Sequence, residues 1–366
     1  KNYARVTLVC DPADYARVLD ELRSEDVSLE TRQELALKGF SLTARYDSAI
    51  SAFLSGGDTL QVQAYPIQKL RYGENPHQQA TLYAYEPGQG PLGGRVLQGK
   101  LLSYTNLLDL DAAWGAVVSF ERPTICINKH LSPCGIASSA VLADAFKAAF
   151  ESDPVSAFGG VIASNRTVDE QTADAMKDLF VECIIAPGFT TKARERLALK
   201  KNCRLVEMPG QEISPGYELR SVNRGILRQS IDQGDPPGTE WKVVSAREPS
   251  AEEWHSLRFA WKACQFAKSN AIVFAKGEAT VGIGSGQPNR VDCVHIAAQR
   301  AGEKANGAVM ASDAYFPFPD SVQAAAKYGI IAVVHPGGSL RDDQSIAAAD
   351  AAGMGMVLTG VRHFRH

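Results

Sequence analysis

The residues best equipped for chemistry in this 366-residue chain stand where an apolar run stops. Ile125, Cys126 and Ile127 lead to the adjacent pair Lys129 and His130, and Ser132-Pro133-Cys134-Gly135 follow. An imidazole exchanges protons near neutral pH and can accept one from an attacking group. An ammonium beside it disfavours a second positive charge, which keeps His130 available as a base, and the same ammonium can stabilise a developing oxyanion. Consecutive strand side chains point to opposite faces, so the two share a pocket only where the backbone bends. The sequence offers that bend at the Pro133 and Gly135 punctuation. Taken alone, a Lys-His pair at a strand end reads first as a surface pair.

Other stretches could hold a ligand. LRYGENPHQQA (70–80) gathers Arg71, Tyr72, Asn75 and His77 around Gly73 and Pro76, a backbone that cannot be regular helix and reads as a binding loop or a solvated turn. In GIGSGQPNR (282–290) three glycines allow close approach to a ligand, and Arg290 opens a helix where an anion would be welcome. SDAYFPFPDS (312–321) carries aromatics apt for stacking or plain packing, and HPGGSLRDDQS (335–345) is a turn rich in backbone donors. If the closing GVRHFRH is ordered, Arg362 is a candidate phosphate clamp. Two patterns are rejected. GRVLQGKL (94–101) has phosphate-loop spacing but Leu101 where a magnesium-binding hydroxyl is needed. Pro133-Cys134 lacks the second cysteine and the HxE of a zinc deaminase.

The elements that must position these residues follow from periodicity. Val6 to Cys10 reads as a strand, and Asp11-Pro12 starts a helix. Ser28-Leu29-Glu30-Thr31 caps a second helix that ends at Gly56-Gly57. This opening segment reads as half of a larger domain, as though the chain began within a longer protein. Strand-like and helix-like runs then alternate: strand 124–128, helix 140–151, strand 159–163, helix 167–180. The alternation resumes with helix 252–268, strands 271–275 and 280–283, helix 290–301, strand 307–310, helix 320–327 and strand 330–334. Such alternation predicts a layered α/β architecture. QGDPPGTEW (233–241) reads as a hinge between two such units, and no short-period repeat is visible.

Composition narrows the function class. With 45% hydrophobic and 22% charged residues and a net charge of -3, the chain is an ordinary globular protein whose expected ligand is small and not nucleic acid. Seven widely spaced cysteines suit buried thiols in a reducing compartment, and no apolar stretch reaches membrane-spanning length, so the expected location is the cytosol.

Taken in order, LRYGENPHQ, KHLSPCGIA, DPVSAFGGVIA, IIAPGF, QFAKSNAIVFAK, GIGSGQPNR, SDAYFPFPDS and VRHFRH resemble the transformylase part of a bifunctional purine-biosynthesis family. That family couples 5-aminoimidazole-4-carboxamide ribonucleotide (AICAR) formyltransferase to inosine monophosphate (IMP) cyclohydrolase. The opening residues resemble the end of its cyclohydrolase domain. The resemblance implies formyl transfer from 10-formyltetrahydrofolate to the 5-amino group of AICAR, with no catalytic metal and with a structural monovalent cation allowed. It also implies two cytidine-deaminase-like α/β subdomains (65–232 and 233–366), preceded by a fragment of a methylglyoxal-synthase-like domain (1–64), and a homodimer with active sites at its interface. A catalytically inactive AICAR- or folate-binding module is the alternative.

Carried over residue by residue, the resemblance makes His130 the proton acceptor and Lys129 the stabiliser of the tetrahedral intermediate, with Asn270 near the carboxamide and formyl group. Arg71, Tyr72 and Arg362 would grip the ribonucleotide, and the stretch from Ala157 to Gly160, with Gly159 and Gly160, would line its pocket. Arg290, Val291, Tyr315, Asp320, Ser339 and Leu340 fall on the folate side. Gly160 stands where some relatives carry an acid, so any contact there comes from backbone. Lys1 matches a cyclohydrolase lysine, and cyclohydrolase activity is not expected of this chain alone.

Overall fold

The computed structural model describes residues 2–57, 59–213 and 216–366, so Lys1, the expected cyclohydrolase remnant, lies outside the described residues. The chain divides into two compact units, Lys1–Tyr65 and Pro66–His366.

In the first unit, a short turn of helix over Pro12–Asp14 is capped by Asp11, whose carboxylate accepts the Ala13 N–H, and leads into α1 (Tyr15–Ser24). α2 (Leu29–Leu54) begins where the capping signature placed it, with Ser28 Oγ accepting the Thr31 N–H at 3.1 Å. Val18, Val27 and Leu35 form a small core. The strand expected over Val6 to Cys10 is absent. Apolar β-branched residues favour extended backbone, but a strand exists only when a neighbouring strand takes its amides, and the Val6 N–H instead donates locally to the Asn2 carbonyl at 3.0 Å.

The second unit opens with β1 (Tyr65–Lys69), β2 (Thr81–Ala84) and β3 (Arg95–Gln98). Then come α3 (Tyr104–Val118), β4 (Thr124–Lys129), β5 (Ser132–Ser138), α4 (Leu142–Ser152), α5 (Pro154–Ala157), β6 (Gly160–Ser164), α6 (Glu170–Ala175), β7 (Val181–Ala186), α7 (Thr191–Leu197) and β8 (Arg204–Glu207). A hairpin of β9 (Tyr217–Val222) and β10 (Gly225–Ser230) follows. The remainder is β11 (Lys242–Val243), α8 (Ala251–Cys264), β12 (Ala271–Lys276), β13 (Ala279–Ser285), α9 (Arg290–Ala301), β14 (Val309–Ser312), α10 (Asp320–Lys327), β15 (Ala332–His335), α11 (Asp342–Ala351) and β16 (Gly355–Leu358).

One 12-stranded sheet runs through this unit in the order β11-β16-β15-β14-β12-β13-β5-β4-β6-β7-β8-β3. Read outward from its centre, the order on one side repeats the order on the other. α3 and α8, β4 and β12, and β5 and β13 each begin 147 residues apart (104 and 251, 124 and 271, 132 and 279). β6, β7 and β8 are parallel to one another, as are β14, β15 and β16, and each set meets its hairpin antiparallel. The two halves join where β5 and β13 run antiparallel, with Ala279 opposite Ala137.

Helices cover both faces. α3 and α8 share one core with Cys126, Ile136, Ile185, Val273 and Val334. On the other face α4, α6 and α7 pack on Ile125, Ile127, Ile162 and Ile184, while α9 and α10 pack on Ile272, Phe274, Met310 and Val333. That is why these strands read as continuous apolar runs: alternate side chains go to opposite layers, each buried large one contributing ~1.5–3 kcal/mol. The helix expected over 167–180 is shorter, because Asp169 caps it at Thr172 N–H and helical bonding stops at Met176. In the segment 233–241, Asp235 accepts the indole N–H of Trp241 at 3.0 Å and that of Trp261 on α8 at 2.9 Å.

Glycines set how closely helix and sheet approach. A Cβ on Gly135 would lie 1.9 Å from the Ala149 carbonyl oxygen of α4, and one on Gly282, its counterpart 147 residues on, 2.1 Å from the Ala297 oxygen of α9. We expect Gly135→Ala to destabilise the unit by roughly 2–3 kcal/mol, because the obstacle is backbone and cannot rotate away. Urea denaturation followed by tryptophan fluorescence measures this, and an unchanged midpoint would show that α4 can shift.

Candidate active site

The bend beside Lys129 lies at His130 itself. Lys129 pairs with Ser132 across the hairpin, and the two residues between them, His130 (φ 57°) and Leu131 (φ 65°), both take left-handed backbone conformations. Positive φ at both central residues is the geometry of a type I′ turn, normally made by Asn-Gly. The expectation that Pro133 and Gly135 supply the bend is corrected: both lie inside β5, where Pro133 sits opposite Asn128 at a register shift and Gly135 admits α4. The tight turn leaves the His130 side chain exposed and Lys129 half-buried. Lys129 Nζ donates to the Phe158 carbonyl at 2.8 Å, which binds it to the AFGG stretch. There Gly159 (φ 74°) donates its N–H to Phe180, and a Cβ on Gly160 would meet the Asn128 and Ala157 carbonyls at 3.0 and 3.1 Å. Backbone contact alone is available at Gly160.

The sheet brings distant motifs to this same edge. Ser132 Oγ and Ser285 Oγ share a hydrogen bond at 2.8 Å across the central seam, placing the Lys129-His130 turn beside the glycine-rich turn after β13. Ala271, at the start of β12, lies opposite Ser285, so Asn270 is at this edge too. Its amide donates to the Gln287 carbonyl at 2.8 Å, and its oxygen accepts from Arg290 at 2.6 Å. Arg290 is buried and pairs with the fully buried Asp313, which also accepts from Ser269 Oγ and from the Ala271 N–H. Val291 follows Arg290 in the first turn of α9, its N–H held by Asn289. Tyr315 stands exposed after β14, and Asp320 opens α10, accepting from the Ser321 N–H. Ser339 and the fully exposed Leu340 lie on the turn after β15, where the Gly338 and Ser339 N–H groups donate to Asp342.

The C-terminal segment is ordered against this edge. His363 N–H donates to the Asp313 carbonyl and Ser269 N–H to the Arg365 carbonyl, and the Arg362 guanidinium stacks on Phe364 at 4.3 Å. The His363 ring lies between Asp232 and Asp235, 2.6 and 2.9 Å from its two nitrogens. Burial alone would lower its pKa, but the two carboxylates override this and raise it to about 9. Because the folded value exceeds the ordinary 6.5, the stabilisation is complete below about pH 6.5 and is lost as pH rises through about 9. We expect the melting temperature to fall more steeply between pH 7 and 10 in the parent chain than in His363→Asn, as differential scanning fluorimetry would record.

Arg71 and Tyr72 stand apart from these bonds. Their loop is closed by the Gly73 N–H on the Gln78 carbonyl, and Arg71 stacks over Tyr72 at 5.5 Å. Sequence reading missed the supports of the site: Asp109, Ser132, Ser285 and Asp313. Asp109 left the one usable signal, an acid within the apolar stretch LLDLDAAW that it shares with Asp111.

The description "AICARFT/IMPCHase bienzyme" belongs to a family whose profile matches residues 1–300. The chain belongs to this family. It is similar throughout its length to curated relatives, each named bifunctional purine biosynthesis protein PurH. That of Myxococcus xanthus is 49% identical over 383 residues and 74% covered. Those of Trichormus variabilis (46% over 372 residues) and Bacillus subtilis (45% over 376) are each 73% covered. The α/β architecture of the family expectation is present as the layered sheet described above. Among the described residues no helix is long and apolar enough to cross a membrane, and no three His, Cys, Asp or Glu side chains cluster as a metal site.

Proposed function

We propose that the unit from Pro66 to His366 transfers the formyl group of 10-formyltetrahydrofolate to the 5-amino group of AICAR in purine biosynthesis. The observation that carries this reading is the Lys129-His130 pair, turned outward at the end of the central strands on the same side of the sheet as Asn270, in a chain of this family. The amine attacks the formyl carbon, His130 takes the amine proton directly or through the neighbouring carboxamide, and Lys129 stabilises the tetrahedral oxyanion. Collapse then expels the folate nitrogen, which takes up a proton, leaving formyl-AICAR and tetrahydrofolate. Asn270 orients the carboxamide and formyl groups. Arg71, Tyr72 and Arg362 hold the ribonucleotide, the arginines suiting its phosphate, while Gly159 and Gly160 let it approach backbone. Arg290, Val291, Tyr315, Asp320, Ser339 and Leu340 form the folate side.

The same reading makes the two topological halves cytidine-deaminase-like subdomains (65–232 and 233–366) and residues 1–64 part of a methylglyoxal-synthase-like domain. It places the protein in the cytosol. A structural monovalent cation would have to be held by carbonyl and hydroxyl oxygens. A homodimer is supported by the β9 and β10 hairpin, which among the described residues forms a two-stranded sheet of its own and exposes Val222, Ile226 and Leu227. A lone two-stranded ribbon is marginal in water and gains by packing on a second copy. The test is release of tetrahydrofolate from 10-formyltetrahydrofolate on addition of AICAR. A folded chain that binds AICAR but releases none would be a binding module.

A further inference from the structure

The turn that carries His130 is held by a residue outside every motif considered so far. Asp109 lies on α3, is buried, and directs one carboxylate oxygen at two donors: the Leu131 N–H at 2.6 Å and the Asn128 side-chain amide at 3.0 Å. Asn128 is itself buried, as the penultimate residue of β4 before Lys129. His130 and Leu131 hold left-handed conformations that cost non-glycine residues of order 1 kcal/mol or more each, and such strain persists only where the surroundings fix it. The duplicated topology supplies an internal comparison. Ser256, 147 residues after Asp109, lies on α8 and accepts the N–H of Gly277, the counterpart of His130, at 2.9 Å. In that half the positive φ falls on glycine, and a hydroxyl is support enough. In the first half two side-chain-bearing residues occupy the turn, and the support is a carboxylate.

We propose that Asp109 is a positioning residue for the reaction, holding the strained turn so that the His130 imidazole stands beside Lys129 instead of relaxing away from it. The inference rests on the formyl-transfer reading. Asp109→Ala should lower kcat roughly 100-fold while the AICAR KM stays within about threefold, because the reacting groups are misplaced and the nucleotide grip is untouched. Asp109→Asn, which keeps an acceptor oxygen, should lose less. Leu131→Gly added to Asp109→Ala should recover at least about tenfold of the loss, since glycine takes the left-handed conformation without strain. Amide exchange of peptides covering 126–134, followed by mass spectrometry without substrate, should quicken in Asp109→Ala.

Three results would overturn the proposal: kcat retained in Asp109→Ala, no recovery with Leu131→Gly, or unchanged exchange across the turn. A parent chain that released no tetrahydrofolate would instead overturn the formyl-transfer reading. Exchange alone would then decide whether Asp109 holds the turn.

Discussion

Replacing His130 with alanine is expected to lower the rate of tetrahydrofolate release by roughly 10²–10⁴-fold, the usual range for loss of a general base. His130 is exposed at a two-residue turn and its side chain has no hydrogen-bond partner among the described residues, so its removal costs the fold little. Lys129 keeps its bond to the Phe158 carbonyl in the variant. The oxyanion stabiliser therefore stays, and a residual rate should remain. Stopped assays with both substrates saturating measure kcat, and calorimetric titration of AICAR checks that binding survives. A variant within tenfold of the parent would remove His130 from the proton path.

The second large effect is on stability. Arg290→Met is expected to cost ~3–5 kcal/mol, because it strands the Asp313 carboxylate, whose side chain is fully buried, without its counter-charge. The first half shows how the same position works when neutral. Asn165 follows β6 as Asp313 follows β14, and its oxygen accepts the Thr124 N–H at 2.8 Å as Asp313 accepts that of Ala271 at 3.1 Å. The first turn of α4 carries no arginine. Combining Arg290→Met with Asp313→Asn should therefore recover most of the lost stability. Guanidinium chloride unfolding of the parent, the single and the double variant measures the difference. If the double variant is as unstable as the single, the cost lies in packing around Arg290 and not in the unpaired charge.

How far the sequence could be read depended on whether the deciding contacts were local. The start of α2 at Ser28 was legible because its cap reaches only three residues. α9 and α10 were found at 290–301 and 320–327 because Asn289 caps the first and Pro319 precedes the second. Lys129 and His130 could be singled out because a buried strand ends at them. Their turn could not be read, since two left-handed residues without glycine carry no local signal and are held by Asp109, reached only through the packing of α3 on β4. Val6 to Cys10 failed for the complementary reason: extended propensity without a partner is not a strand. The duplication came only from the family resemblance and not from the residue pattern, because strand order is preserved while many side chains are not, His130 corresponding to Gly277 and Asp109 to Ser256.

The central seam also shapes how the second unit folds. Every other ladder in the 12-stranded sheet joins strands of the same half, whereas β5 meets β13 through the single residue pair Ala137 and Ala279, the Ser138 N–H on the Glu278 carbonyl, the Arg122 and Glu278 ion pair, and hydroxyl bonds. Thr280 Oγ1 accepts the Ile136 N–H, and Ser132 bonds Ser285. Each half can thus gather its own strands through comparatively short chain closures, and their union is a separate, entropically later step. The reactive turn and Asn270 belong to different halves. Chains emerging from unfolding should therefore regain most of their secondary structure before catalysis, with competence waiting on the junction between the halves to close.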